Sequence, residues 1–541
     1  MVIQTLDLIL IIAYLLGILI IGIIAGHKRR VTSNDYFLAG RSLRWFMVGA
    51  ALFATNISTI HLIGLASDGY RIGLVVGNFE WMAAFTLILL GLVFAPFYFK
   101  SKITTLPEYL EKRYSPHSRT FLAFISVISA LLIHIGISLY AGAKVFEFFF
   151  NIDAVYSIVI IAIITSIYTV LGGLKAVVVT ETIQTFVLLL GAIVLTIAGF
   201  LALPSVGIEN LAQFKAAIRP DQISMLHPIR SAQGNLNEYS WYSMVFGFPI
   251  LGIWYWCTDQ TIVQRVLGAK TQRDAQLGPV FAGFLKLLPV FFMVLPGVLG
   301  YVLFKDIIGS DNDLTLPVMI QQLLPTGVIG IVTAGLLAAL MSTIAGALNS
   351  SATLVAVDIV KRIWPQTKDR TQVFIGRITA VVVMLLAMAW STQGGKFSSI
   401  FVAVNKIPMI FAPGITCVFL WGVFWRRGTK QASLATLSAG FVVGAIYFMI
   451  DLPLIGEVSI VTQNWGIPFM QVGVYLFLFC SAVYYTVSRL TPAPAPEKLE
   501  NLCWEHPLRA ITYGKLSGAG DPRTLAIILF GIVIVLYIIL H

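Results

Sequence analysis

The sequence predicts an all-α membrane protein of fourteen transmembrane helices, with an inverted repeat of five plus five helices at its centre and flanking helices around it. Three observations predict this. Of 541 residues, 58% are hydrophobic and only 11% charged, against about 45–50% and roughly 25% in an ordinary soluble domain. The apolar residues gather into runs long enough to cross lipid, and the Lys and Arg between the runs alternate from side to side. Two of the runs, five spans apart, are interrupted by residues that disrupt a helix.

Crossing about 30 Å of hydrocarbon takes on the order of 20 apolar residues in a helix. The runs predict spans near 6–26, 43–66, 73–99, 120–149, 155–172, 176–203, 241–264, 276–304, 328–360, 372–392, 398–425, 431–451, 469–488 and 524–540. Lipid offers no partner to an open strand edge, so each is a helix. The first run is followed, not preceded, by Lys28, Arg29 and Arg30, and so reads as a retained helix and not a signal peptide.

Alternate connections hold 27 of the 36 Lys and Arg, and the opposite set holds 6. The positive-inside rule therefore predicts a multi-pass protein of the cell (inner) membrane with both termini extracytoplasmic. The net charge of +11 is mostly this bias; it calls for no nucleic acid, and no obligate protein partner is evident. Four cysteines, Cys257, Cys417, Cys480 and Cys503, show neither metal spacing nor a disulfide framework. The longest outer connection, Pro204 to Ser240, reads as a lid or a solvated connector, and Thr491 to Pro496 as a stiff linker.

The span beginning at Leu43 is interrupted by Phe53-Ala54-Thr55-Asn56-Ile57-Ser58-Thr59-Ile60-His61, and the span beginning at Trp241 by Phe246-Gly247-Phe248-Pro249-Ile250-Leu251-Gly252. Pro249 lacks a donor and clashes with the preceding turn, which predicts a break there. Paired interruptions in corresponding spans point to a transporter binding site. Because five is odd, two five-helix units in tandem run oppositely through the membrane. The expected organisation is 1–42, a leading helix and cytoplasmic loop; 43–240, the first repeat with the outer loop; 241–430, the second repeat; and 431–541, three C-terminal helices with a cytoplasmic loop. No nucleophile–base pair, metal cluster or phosphate loop suggests an enzyme.

Several stretches carry a resemblance: Asp35-Tyr36-Phe37-Leu38-Ala39-Gly40-Arg41, Ala54-Thr55-Asn56-Ile57, Phe79-Glu80-Trp81, Gly172-Gly173-Leu174-Lys175-Ala176-Val177, Trp254-Tyr255-Trp256-Cys257-Thr258-Asp259-Gln260, Ile262-Val263-Gln264-Arg265, Leu340-Met341-Ser342, Asn349-Ser350 and Leu502-Cys503-Trp504. Along nearly its whole length the chain resembles the sodium/solute symporter family, and within it the sodium/glucose cotransporter branch. That resemblance implies a LeuT-like fold, ten core helices with flanking ones, and a sodium-coupled symporter of a neutral sugar, a hexose or related polyol. Alternatives are a symporter of an acidic sugar or monocarboxylate, and a solute sensor on the same fold.

Ala339, Ser342 and Thr343 share one helix face at i, i+3 and i+4. With carbonyls released at Ala54 and Ile57, they supply about five neutral oxygens, the ligand type hard cations take. The resemblance places the family's main sodium site on these same five positions. In isolation, such hydroxyls more often bond their own backbone or a neighbouring helix; the paired breaks favour the ion. A neutral cage has nothing to titrate near neutral pH, which favours sodium over protons. One sodium contributes roughly 2.3 kcal/mol per 100 mV and about 1.4 kcal/mol per tenfold gradient, enough for roughly 500-fold accumulation of a neutral solute. Some family members hold a second sodium with an Asp where this chain has the longer Glu181, a possible second sodium position.

Few ionisable groups lie well within the spans: His61, Glu80, His134, Glu181, Asp259, Lys286, Asp358 and Lys406. His134 is assigned no role, and Asp259 and Asp358 are expected to pair with Arg265 or Lys361. The family's sugar site maps onto Asn56, His61, Glu80, Tyr255, Trp256 and Lys286, with Tyr255 as the stacking inner gate; Glu80 and Lys286 alone also fit a plain interhelical ion pair. An aromatic face suits the apolar side of a pyranose. Two departures stand out. Asn405, followed by Lys406, stands where the sugar branch has Gln, and Gly252 where it has Thr or Asn.

Overall fold

Long apolar runs become long helices. The computed structural model describes residues 3–27, 32–230, 234, 236–393, 406–451, 459–505, 509–512 and 518–540; among them extended pairing is limited to three isolated bridges. We number the principal helices α1 (Thr5–Gly26), α2 (Trp45–Asn56), α3 (Thr59–Ile72), α4 (Leu74–Lys100), α5 (Pro116–Phe150), α6 (Ala154–Val206), α7 (Ser243–Thr258), α8 (Gln260–Leu267), α9 (Gln272–Ile308), α10 (Val328–Ile363), α11 (Asp369–Ser391), α12 (Ala412–Phe424), α13 (Lys430–Asp451), α14 (Phe469–Leu490) and α15 (Pro522–Ile539). Among the described residues ten of these are long and apolar enough to cross a membrane, and the bent pair α2–α3 makes eleven.

The count falls short of fourteen for identifiable reasons. The spans predicted at 155–172 and 176–203 are one helical stretch, α6, interrupted only at Gly173, where φ is 61° and ψ −160°. A Cβ on Gly173 would sit 2.6 Å from the Tyr36 carbonyl, so only glycine allows both that backbone and that approach. The helices at the predicted spans 241–264 and 398–425 are shorter, α7 and α12. Residues 394–405, including Asn405, lie outside the described residues.

The first interruption lies where the sequence put it. α2 ends at Asn56, Ile57 and Ser58 are non-helical, and α3 starts at Thr59, with a bend of 60° across the pair. The second does not. α7 runs as a helix through Pro249 and ends at Thr258; Asp259, with ψ of 125°, separates it from α8. A π turn at Ser243–Gly247 lies just ahead of Pro249, and π turns at Leu90–Phe94 and Val290–Val294 likewise precede Pro96 and Pro296. The wider turn moves aside the carbonyl four residues back that the ring would strike, and it needs no donor from proline. The break is therefore displaced ten residues toward the C-terminal end of the span.

Small residues let backbones meet. Gly297 on α9 approaches Ala66 on α3 so closely that a Cβ would lie 2.1 Å from its carbonyl, the close packing that associates helices in lipid. Asp7 on α1 is fully buried and accepts from Gly327 and Gly330 N–H at 2.7 and 2.8 Å, capping the start of α10 from another helix. The connection between α6 and α7 is anchored: the Asn78 amide donates to the Met225 carbonyl at 2.7 Å, Gln222 to the Tyr70 carbonyl at 3.1 Å, and Met225 N–H to the Leu540 carbonyl at 2.8 Å. All four cysteines are buried and unpaired.

Candidate functional site

The break between α2 and α3 changes where backbone groups bond. In an unbroken helix Ser58 N–H would donate to the Ala54 carbonyl. Here it turns to His61 Nδ1, at 3.5 Å, and the Ala54 carbonyl accepts the Ser342 hydroxyl of α10 at 2.8 Å. The same hydroxyl lies 2.8 Å from the Ala339 carbonyl. Thr343 Oγ1 reaches the Thr55 carbonyl at 2.9 Å and that of Ala339 at 3.3 Å. His61 N–H donates to Ser58 at 3.0 Å instead of to Ile57. The structure thus brings together Ala54, Ala339, Ser342 and Thr343, adds the carbonyl of Thr55, and turns the normal helical donor away from Ile57. Three carbonyls and two hydroxyls converge where the Ala54 carbonyl has no helical donor, a set of neutral oxygens that suits a cation.

Glu181 sits behind this cluster, but its carboxylate is already matched. Arg265 holds both oxygens, Nε to Oε2 at 3.0 Å and Nη2 to Oε1, and Thr55 Oγ1 donates to Oε1 at 2.8 Å. Both side chains are wholly buried. A guanidinium thus already balances the charge at Glu181, the possible second sodium position. The geometry corrects the expected partners of two aspartates. Asp259 Oδ2 lies 2.7 Å from His134 Nε2, and Asp358 Oδ1 accepts Arg119 Nε at 2.7 Å and Thr105 Oγ1 at 2.8 Å.

Beside the oxygen cluster lies a partly enclosed cavity of about 100 Å³. Asn56, Ser58 and His61 come from the α2–α3 break, Phe79 and Glu80 from α4, and Ile133, His134 and Ser138 from α5. Phe248, Leu251, Gly252, Trp254, Tyr255 and Trp256 come from α7, Lys286 from α9, Thr343 from α10, and Pro408 from the approach to α12. All six predicted wall residues among the described residues are present. Glu80 and Lys286 are each 1% exposed. The Lys286 ammonium donates to Glu80 Oε2 and Asn56 Oδ1 and lies 5.4 Å from the Trp256 ring. His61 Nδ1 is 3.1 Å from Ser58 Oγ. Tyr255 meets the Trp256 ring edge-on at 5.1 Å and the His134 ring at 5.8 Å with the planes tilted by 47°. At Gly252 a Cβ would meet the Phe248 ring at 2.7 Å, so that ring fills the space a side chain would take.

Sequence reasoning missed Phe79, Phe248, His134 and Ser138. The rings were indistinguishable from ordinary apolar residues. His134 sits within a π turn, Ala130–Ile137, which no residue pattern announces.

Comparison with known proteins follows the same lines. The sequence model of the family described as "SSF: Sodium:solute symporter family" matches residues 36–440. The chain is 34% identical over 523 residues to the sodium/mannose cotransporter of Bos taurus, covering 91% of this chain and 87% of that one. It is 32% identical over 543 residues to the sodium/myo-inositol cotransporter of Canis lupus familiaris, covering 92% and 75%. Among solved structures it is similar to a Na+-coupled sialic acid symporter in a substrate-bound outward-open state, with 21% identity, a TM-score of 0.71, and 91% and 99% of the two chains covered. It is also similar to the nucleobase-cation-symport-1 transporter MHP1, with 15% identity, a TM-score of 0.55, and 88% and 99% covered. At such identities these two speak for the fold alone, which is LeuT-like. Helices fit to cross lipid, a bent helix that frees carbonyls, and a family match over most of the length agree: the chain belongs to the sodium:solute symporter family and is a multi-pass, sodium-coupled solute symporter.

Proposed function

We propose that this chain carries a neutral sugar, a hexose or related polyol, inward with sodium by alternating access. The observation that supports it most is the Lys286 ammonium held by Glu80 and Asn56 in the wall of an aromatic-lined cavity. Such a wall offers donors and acceptors without net charge, which suits hydroxyls better than a carboxylate. Lys406, the other cation that an acidic solute would want, is held by Asp451 at 3.2 Å. Relatives named for mannose, glucose and myo-inositol transport support the same class.

In this reading Asn56, His61, Glu80, Tyr255, Trp256 and Lys286 bind the solute, and Asn405 joins them on the family resemblance. Sodium is the co-substrate, held by the carbonyls of Ala54, Ile57 and Ala339 and the hydroxyls of Ser342 and Thr343. The ion bridges α2 to α10, and the solute bridges the same break to α4, α7 and α9, so each favours the arrangement the other needs. Binding energy shared through one element is what couples two ligands.

We read the architecture as fourteen crossings. A straight helix as long as α6, 53 residues, would extend roughly 80 Å, more than twice the hydrocarbon thickness of about 30 Å, so Gly173 divides two crossings. The two repeats are 43–240 and 241–430, with 1–42 before and 431–541 after, in the inner membrane with both termini outside. The test is uptake of labelled mannose, glucose, myo-inositol and an acidic sugar into proteoliposomes, with an inward gradient of sodium or of choline. Sodium-dependent accumulation of a neutral member is expected. Accumulation of the acid alone overturns the reading, and binding without uptake replaces it with a sensor.

A further inference from the structure

Two polar side chains on α5 face the cavity and have no part in the site as drawn so far. Ser138 lines it and is 1% exposed, and its hydroxyl has no hydrogen-bond partner among the described residues. Several other buried hydroxyls among the described residues also lack a partner, Ser129, Thr165 and Thr333 among them, but of these Ser138 is the one that lines the cavity. Thr169, Thr185 and Thr258 each donate to the carbonyl four residues back, the ordinary refuge of a hydroxyl in a membrane helix. The π turn at Ala130–Ile137 ends immediately before Ser138, and the hydroxyl is left unpaired. A buried hydroxyl without a partner is destabilising, a cost removed when a ligand supplies the bond.

His134 stands four residues earlier, is 5% exposed, and lines the same cavity. Its Nε2 lies 2.7 Å from Asp259 Oδ2, while Nδ1 has no hydrogen-bond partner among the described residues. A nitrogen fixed by a carboxylate leaves its partner nitrogen defined in orientation and protonation. Asp259 is itself held, since Oδ1 caps Thr261 N–H at 2.7 Å at the start of α8. The aspartate thus aims the ring from the break in the second interrupted helix.

We propose that His134 and Ser138 form a second hydroxyl-reading wall of the solute site, with Asp259 as the residue that positions His134. The substrate class is a polyhydroxylated solute whose hydroxyls bond Ser138 Oγ and His134 Nδ1. This rests on the sugar reading above and adds the residues that distinguish one stereoisomer or deoxy analogue from another.

Ser138→Ala is the cleanest test, because it removes an unpaired group and leaves the solute-free fold intact. The half-saturating solute concentration is expected to rise about three- to tenfold, with thermal stability without solute unchanged or raised. A panel of monodeoxy analogues then locates the contact: one of them loses affinity in the wild type but not in Ser138→Ala. His134→Gln is expected to raise the half-saturating concentration similarly, and Asp259→Ala to match it, while Asp259→Asn, which still accepts a hydrogen bond, retains most of the affinity. Half-saturation within about twofold of wild type in Ser138→Ala, with an unchanged analogue profile, overturns the proposal. Wild-type protein that accumulates none of the hexoses or polyols overturns the sugar reading instead. The solute it does carry then enters the same Ser138→Ala comparison.

Discussion

Removing one hydroxyl from the oxygen cluster tests the ion site most directly. In Ser342→Ala the Ala54 carbonyl loses its 2.8 Å donor and the proposed cage loses one of its five oxygens. Interhelical hydrogen bonds in membranes average about 0.6 kcal/mol with a maximum near 1.7, so the ion-free protein is expected to lose little stability. An oxygen facing a charge is worth more, about 1.5–3 kcal/mol. At about 1.4 kcal/mol per tenfold, that raises half-saturating sodium by roughly 10- to 150-fold. The assay is the initial rate of solute uptake into proteoliposomes against sodium concentration, with choline keeping ionic strength constant and thermal unfolding in detergent as the folding control. Thr343→Ser keeps its hydroxyl and is expected to stay within a few-fold of wild type. Ser342→Ala with Thr343→Ala is expected to abolish sodium stimulation. Half-saturation within threefold of wild type in Ser342→Ala, in a normally folded protein, would refute the site.

The remaining predictions concern buried charge and backbone. Lys286→Met strands Glu80 in a dry wall and is expected to cost about 3–5 kcal/mol; adding Glu80→Gln restores thermal stability but not uptake, which separates folding from solute binding. Arg265→Leu is expected to destabilise by a similar amount for the sake of Glu181. With that carboxylate taken, sodium activation of the wild type is expected to be hyperbolic, with one sodium per solute in paired isotope fluxes. Gly173→Ala forces a side chain into φ of 61° and against the Tyr36 carbonyl, at a cost of about 1–3 kcal/mol from the backbone alone, read as a lowered midpoint of thermal unfolding.

Much of this was legible in the residues. Apolar run length announces a lipid-crossing helix, and the polar cluster around Asn56 marked its break correctly because polar side chains such as Ser58 and His61 offer local bonds that compete with the helical ones. The i, i+3, i+4 spacing of Ala339, Ser342 and Thr343 placed three oxygens on one face, and the structure turns that face to the break. Pro249 misled because a π turn absorbs a proline, and turn width is not encoded in any single residue type. The partners of Asp259, Asp358 and Glu181 were hidden for a different reason. Each lies more than eighty residues away in sequence, whereas local reasoning looks to the nearest cation along the chain. Arg265 was near Asp259 in sequence but faces Glu181.

The burial of all four native thiols has a practical consequence for spectroscopy. Thiolates, not buried thiols, react with maleimides, and burial pushes even Cys503, in the connection between α14 and α15, above its ordinary value. The wild-type background is therefore expected to stay dark to such dyes. A single fluorophore at Leu211→Cys, at an exposed position of the connection between α6 and α7, then reports on that connection alone, turnover by turnover, with no native cysteine to replace first.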